Sequence, residues 1–175
     1  MRRRPRWSGL IVLASLWLSG CGYALVGQGS NIPADVQVIF LKPLLNETRR
    51  AQIDLILGQA IADEVVLRGR FDLAPNEVTS QAVLEGTIRA FLVTPIAFDQ
   101  DGLASEYEVS ISAAMEFFRT DSGEILWRNN NYIFRQNYAL DEDDQGAFFD
   151  REILAIEAVS LIFAQTLLTD LMEGF

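Results

Sequence analysis

Between Glu106 and Phe117 the chain alternates. Tyr107, Val109, Ile111, Ala113, Met115 and Phe117 interleave with Glu106, Glu108, Ser110, Ser112 and Glu116. A helix would scatter such a set around its axis, whereas successive side chains of a strand point to opposite faces of a sheet. One face is apolar and the other polar, the pattern of an antiparallel sheet with one buried side. The flanks extend it. Asp121-Ser122-Gly123 predicts a hairpin turn, and the return strand runs from Ile125 to Tyr138 through Trp127, Tyr132 and Phe134. On the other side, Asp99-Gln100-Asp101-Gly102 is a turn preceded by a strand over 83–93. There Leu84, Ile88 and Leu92 share one face, Glu85, Thr87 and Arg89 the other, and Pro95 weakens or bends the end.

Upstream, the run from Val36 to Leu41 predicts a strand ended by Pro43, and Phe71 to Ala74 a brief one before the Pro75-Asn76 turn. Between them Ile53, Ile56, Leu57, Ala60, Ile61, Val65 and Leu67 recur at helical spacing, with Asp54, Asp63, Glu64 and Arg68 off the stripe. Asn46-Glu47-Thr48 offers a cap at the start, and Gly69 a left-handed cap at the end. A last helix is expected over 147–172, with a stripe of Phe149, Ile153, Ile156, Phe163, Leu167 and Leu171. Leu154, Leu161, Leu168 and Met172 widen its apolar surface, either as core or as a second face for a partner. Gly174 closes it. The expected fold is α+β, a two-layer sandwich of a mainly antiparallel sheet of about four to five strands with two helices packed on one face.

The N-terminus has the order of a secretory signal. Arg2, Arg3, Arg4 and Arg6 precede an apolar run from Leu10 to Leu18, then small residues run into Cys21. That run is shorter than the roughly 20 residues needed to span a bilayer as a helix. Leu18-Ser19-Gly20-Cys21 reads as a lipobox, with an open backbone for the cleaving peptidase and a thiol that accepts a diacylglyceryl group. The plainer alternative is an ordinary signal with a coincidental cysteine, but this is the only cysteine of the chain. The expected organisation is a cleaved signal over 1–20, a lipidated tether over 21–34 and one domain over 35–175. No cofactor is expected beyond the covalent lipid on Cys21.

Removing residues 1–20 takes away four of the 14 basic residues and none of the 24 acidic ones, leaving 10 − 24 = −14. Such a chain repels nucleic acid and anionic surfaces, so a nucleic-acid partner is not expected. Histidine is absent. That removes the commonest general base, every Ser-His or Cys-His dyad and most catalytic zinc sites, so an enzyme is not expected. Asp141, Asp143, Gln145, Gly146 and Glu152 fall at positions 1, 3, 5, 6 and 12 of an EF-hand-like calcium loop. The alternative is an acidic flank favoured by the dipole of the last helix.

Taken together, Cys21-Gly22-Tyr23 with Leu25, the strand-then-helix start, Glu106-Tyr107-Glu108-Val109, Trp127, Phe134-Arg135 and the long closing helix resemble the LptE family, the LPS-assembly lipoproteins. The resemblance spans most of the chain after the signal and implies a non-enzymatic role. Members plug the β-barrel of the LPS translocon protein LptD, support its assembly and contact LPS. Gly22, where an Asp would retain many lipoproteins in the inner membrane, resembles an outer-membrane address. Family members carry basic residues in the loops that here read Asp99-Gln100-Asp101-Gly102 and Asp141-Glu142-Asp143-Asp144. Carboxylates repel phosphates, so the candidates for glycolipid or partner contact are instead Arg89, Arg119, Arg128 and Arg135; the plain alternative is arginines on a solvated strand face. The competing function is a lipid-anchored periplasmic adaptor of another envelope complex, without LPS contact.

Overall fold

The structure is a computed structural model and describes residues 32–139 and 148–174, without the side chains of 148–152. In chain order the elements are β1 (Val38–Leu41), β2 (Leu45–Asn46), α1 (Ile53–Arg68), β3 (Asp72–Leu73), a 3-10 turn (Glu77–Thr79), β4 (Ala82–Phe98), β5 (Ala104–Arg119), β6 (Ile125–Ala139) and α2 (Phe148–Glu173). Six strands form one sheet in the order β3-β1-β4-β5-β6, with β2 also beside β4. The fold is α+β, as the patterning predicts. The three long strands pair antiparallel, while β1 lies parallel to β3 and β4, and β2 parallel to β4. The parallel part follows from α1, because a helical crossover returns the chain to the end of the sheet it left. β2, two residues past Pro43, carries no periodic signal of its own.

One core fills the space between the sheet and the two helices. The alternating set of β5 is its floor: Val109, Ile111, Ala113, Met115 and Phe117 are all buried in it, and Tyr107 is buried in a small adjoining cluster with Ala104 and Ala155. From α1 come Ile53, Leu57, Ala60, Ile61 and Val65, and from α2 Ile156, Phe163, Leu167, Leu168 and Leu171. Glu64, expected off the stripe, is buried too, and Arg68 one turn later donates to its carboxylate at 2.6 Å. Arg68 also donates to the Gln165 carbonyl and the Thr169 hydroxyl, tying α1 to α2.

Four expectations are corrected. Asn46 does not cap α1: its Oδ1 accepts from the Thr48 N–H at 2.9 Å and the Thr48 hydroxyl at 2.7 Å, a local turn after β2. The helix starts behind Gln52, at φ 64°, with no side-chain cap. Leu67 is exposed, because two residues past Val65 a side chain has swung about 200° around the axis. Leu92 is 62% exposed, because the register shifts between Ile88 and Ala90. Arg89 is the extra residue there, and beyond it Phe91 and Val93 turn to the core instead. In α2, Ile153 and Leu161 face outward, the latter 53% exposed, whereas Leu168 of the same widened set is buried. A second bulge, where Asn129 opposes Met115 and Tyr132 opposes Ala113, lets Trp127 and Tyr132 share the core face despite their odd separation.

Gly69 ends α1 at φ 60°, its N–H reaching the carbonyls of Val65 and Val66. An L side chain in that conformation costs about 1 kcal/mol. Gly69→Ala is therefore expected to lower unfolding free energy by that amount in urea titrations, although a Cβ meets nothing within 4 Å.

The Tyr132 hydroxyl donates to Asp170 at 2.9 Å, joining β6 to α2. Burial first, and then this carboxylate, push the phenol well above its ordinary pKa of 10.0. The folded state thus holds a proton that the unfolded chain releases near pH 10, so the stabilisation is whole below that pH and falls as pH rises through the folded value. Melting temperature is expected to drop above pH 10, with a shallower drop in Tyr132→Phe.

Candidate functional site

The helices cover one face of the sheet. Its other face is built from the polar half of the β5 alternation and the matching positions of β4 and β6. Glu85 of β4 stands directly across from Glu116 of β5. Two carboxylates in that relation repel, and each is held by a cation from the next strand outward. Lys42, just past β1, donates to Glu85 at 2.7 Å. Arg128 of β6 donates through Nε and Nη2 to Glu116 at 2.9 and 2.8 Å. The four charges form a row across the sheet in the order plus, minus, minus, plus. The hydrogen bond to Glu85 raises the Lys42 pKa, and that to Glu116 raises the Arg128 pKa. Beside this row a cleft of about 640 Å³ opens where the chain bends at Pro43, with Thr87 and Asn130 among its walls.

The four candidate arginines do not converge. Arg89, on the β4 bulge, donates to the Asn130 carbonyl at 2.9 Å. Arg119, at the end of β5, donates twice to Asp35 at 2.9 and 2.8 Å and lies 3.6 Å from Glu124. The hydrogen bond from Arg119 holds the Asp35 carboxyl below its usual range, and Asp35 raises the guanidinium in return. Arg128 is bound to Glu116. Arg135, exposed on β6 opposite Ser110, has no side-chain hydrogen bond or ion pair among the described residues. The sequence marked these positions as charged strand residues; it held no sign that an acid 84 residues away engages Arg119, whereas Glu116 lies just across the expected hairpin from Arg128.

The sheet has two distinct ends. The Asp35–Arg119 pair fixes the start of the described chain at the end that carries the 121–123 turn. At the opposite end, in the 99–102 turn, the Asp99 carboxylate accepts the N–H groups of Asp101 and Leu103, both at 2.9 Å, and Gly102 takes φ 77°. The 16 residues of β5 run between them, a span of about 50 Å at 3.3 Å per residue. Cys21 and the calcium candidates Asp141, Asp143 and Gln145 lie outside the described residues, as does the side chain of Glu152. Among the described residues no group of three His, Cys, Asp or Glu side chains could hold a metal ion.

Comparison with known proteins places this architecture. A chain of the PelC dodecamer from Paraburkholderia phytofirmans superposes with a TM-score of 0.52 at 14% identity, covering 82% of this chain and 92% of that one. An uncharacterized lipoprotein B from Nitrosomonas europaea gives a TM-score of 0.49 at 14% identity, covering 86% and 90%. At 14% identity the likeness to the PelC chain is one of fold. No curated protein sequence matches the chain. The family model described as LptE, Lipopolysaccharide-assembly, matches residues 36–173, from two residues before β1 to the end of α2. The chain belongs to the LptE family of lipopolysaccharide-assembly proteins.

Proposed function

We propose that the chain is an outer-membrane lipoprotein, anchored by a lipid on Cys21, that plugs an LptD-type β-barrel, supports its assembly and assists LPS transport to the outer leaflet. The family match over residues 36–173 carries this reading. The shape supports it. A sheet about 50 Å long exceeds the 40–45 Å of a bilayer with its headgroups, so a domain held at the periplasmic leaflet reaches the far side of a barrel lumen. A polar open face suits a water-lined lumen. The work is mechanical and needs no catalytic group.

Recovery of the lipidated chain from detergent-solubilised outer membranes tests the proposal. The expected result is a stable complex with one large barrel protein. Repeated recovery without a barrel overturns it. Recovery as a ring of copies would instead favour the adaptor reading, in keeping with the oligomeric assembly of PelC. Of the four arginines, Arg119 and Arg128 already hold carboxylates and Arg89 a carbonyl. Arg135, without a carboxylate partner among the described residues, is the one of the four placed to meet an anion from another molecule.

A further inference from the structure

A sheet edge is a row of backbone donors and acceptors that another strand can complete, and proteins blunt such edges with short strands, prolines, bulges and charges. Two of the edges here are blunted. β3 is two residues long. The distal half of β4, beyond its pairing with β2, contains Pro95 and register shifts on both sides of Ala97. The outer edge of β6 is different. From Tyr132 to Ala139 its register against β5 is continuous. This stretch contains no proline and no acid, and its one charge is Arg135. Among the described residues no strand pairs with its outer side.

We propose that the Tyr132–Ala139 edge is a docking site for an extended segment of another chain, which adds a strand to the sheet and places a carboxylate beside Arg135. Backbone chemistry selects an extended segment. Side chains select its pattern. On the open face the segment meets Ile133, Arg135 and Asn137, all exposed. Arg135 faces Ser110 across the ladder and, among the described residues, has no carboxylate such as Arg128 finds in Glu116. A second copy fits poorly, because β6 has no acid to offer and the chain carries a net charge of −10. A closed barrel wall has no spare strand edge, so the segment comes from an arm or loop of the partner. That origin rests on the barrel partner proposed above; the docking edge itself rests only on the geometry of β6.

The test uses the full mature, lipidated chain in detergent micelles and two capped eight-residue peptides of alternating valine and threonine. One has glutamate in place of a central threonine, the other lysine. In the chain alone, backbone amides on the outer side of 132–139 are expected to exchange rapidly with solvent. The glutamate peptide is expected to bind at up to millimolar concentration and protect them, at least ten times more tightly than the lysine peptide. Arg135→Glu should reverse that preference, so binding of the lysine peptide also reports that the variant is folded. Slow exchange without peptide shows an edge already covered and overturns the proposal. So do no binding, equal binding of the two peptides, or concentration-dependent self-association through this stretch. A response of Arg135 to lipid A but not to the glutamate peptide would make it a phosphate site, and overturns the proposal as well.

Discussion

Phe163→Ala is expected to cost about 3–5 kcal/mol of unfolding free energy, read as a fall in the urea midpoint at unchanged slope. Phe163 is 1% exposed and sits where α2 meets β6. Its ring lies 5.7 Å from Tyr132 and 5.6 Å from Phe134, both edge-on at about 80°, so truncation removes two aromatic contacts together with the buried area. Three rings from a strand and a helix cannot collapse together into the space without moving one element, so the cavity persists. A domain of this size has about 5–15 kcal/mol in all, and a loss on this scale leaves a substantial unfolded population at growth temperature. Leu161→Ala, two residues earlier and 53% exposed, is the control, expected within about 0.5 kcal/mol of wild type. Equal losses in the two variants would mean that α2 is not seated as described.

The contrast between Phe163 and Leu161 shows how far the sequence reaches. Periodicity located both helices and all the long strands, because burial on one face imposes a period that needs no partner to be seen. It failed where a single residue changes the count. Arg89 looks like any polar strand residue, yet as the extra residue of a bulge it turns Leu92 outward and Phe91 inward. The bulge before Tyr132 likewise lies within three consecutive asparagines, a polar run that signals irregularity but not its register. In α2 the sequence offered more apolar residues than one face holds. How α2 seats against both the sheet and α1 decides that Leu168 is core and Leu161 is not.

The open face was less legible. The alternation of β5 predicts a polar side but not what it meets. Lys42–Glu85 and Arg119–Asp35 join residues 43 and 84 positions apart, and neither spacing leaves a local signature. Arg119 and Arg135 look alike in the sequence. Topology alone gives the first a carboxylate at the end where the described chain starts, and places the second on an edge that no described strand covers.

Cys21→Ala is expected to move the protein from the membrane pellet to the soluble periplasmic fraction and to reduce its co-recovery with a barrel at least tenfold. Each buried methylene of an acyl chain contributes about 0.8 kcal/mol, and stable anchoring takes more than one chain. Losing a diacylglyceryl group therefore shifts partitioning by orders of magnitude. Charge does not compensate, because residues 21–175 carry 10 basic against 24 acidic residues, which oppose an anionic surface. The geometry adds a second consequence. From Cys21 to Ile32 the chain spans at most about 40 Å, and Asp35 is latched to Arg119. On the proposed reading, a lipid on Cys21 sets which end of the sheet faces the periplasmic leaflet as well as where the protein resides. Delivered to the periplasm by a non-lipoprotein signal, the unlipidated chain is expected to fold with unchanged urea midpoint while failing to compete with the lipidated one for the barrel. Fractionation with immunoblotting, and the mass of the mature N-terminus, read both effects. Retention of Cys21→Ala in the membrane pellet would sink the anchor assignment, and undiminished competition would sink its role in orientation.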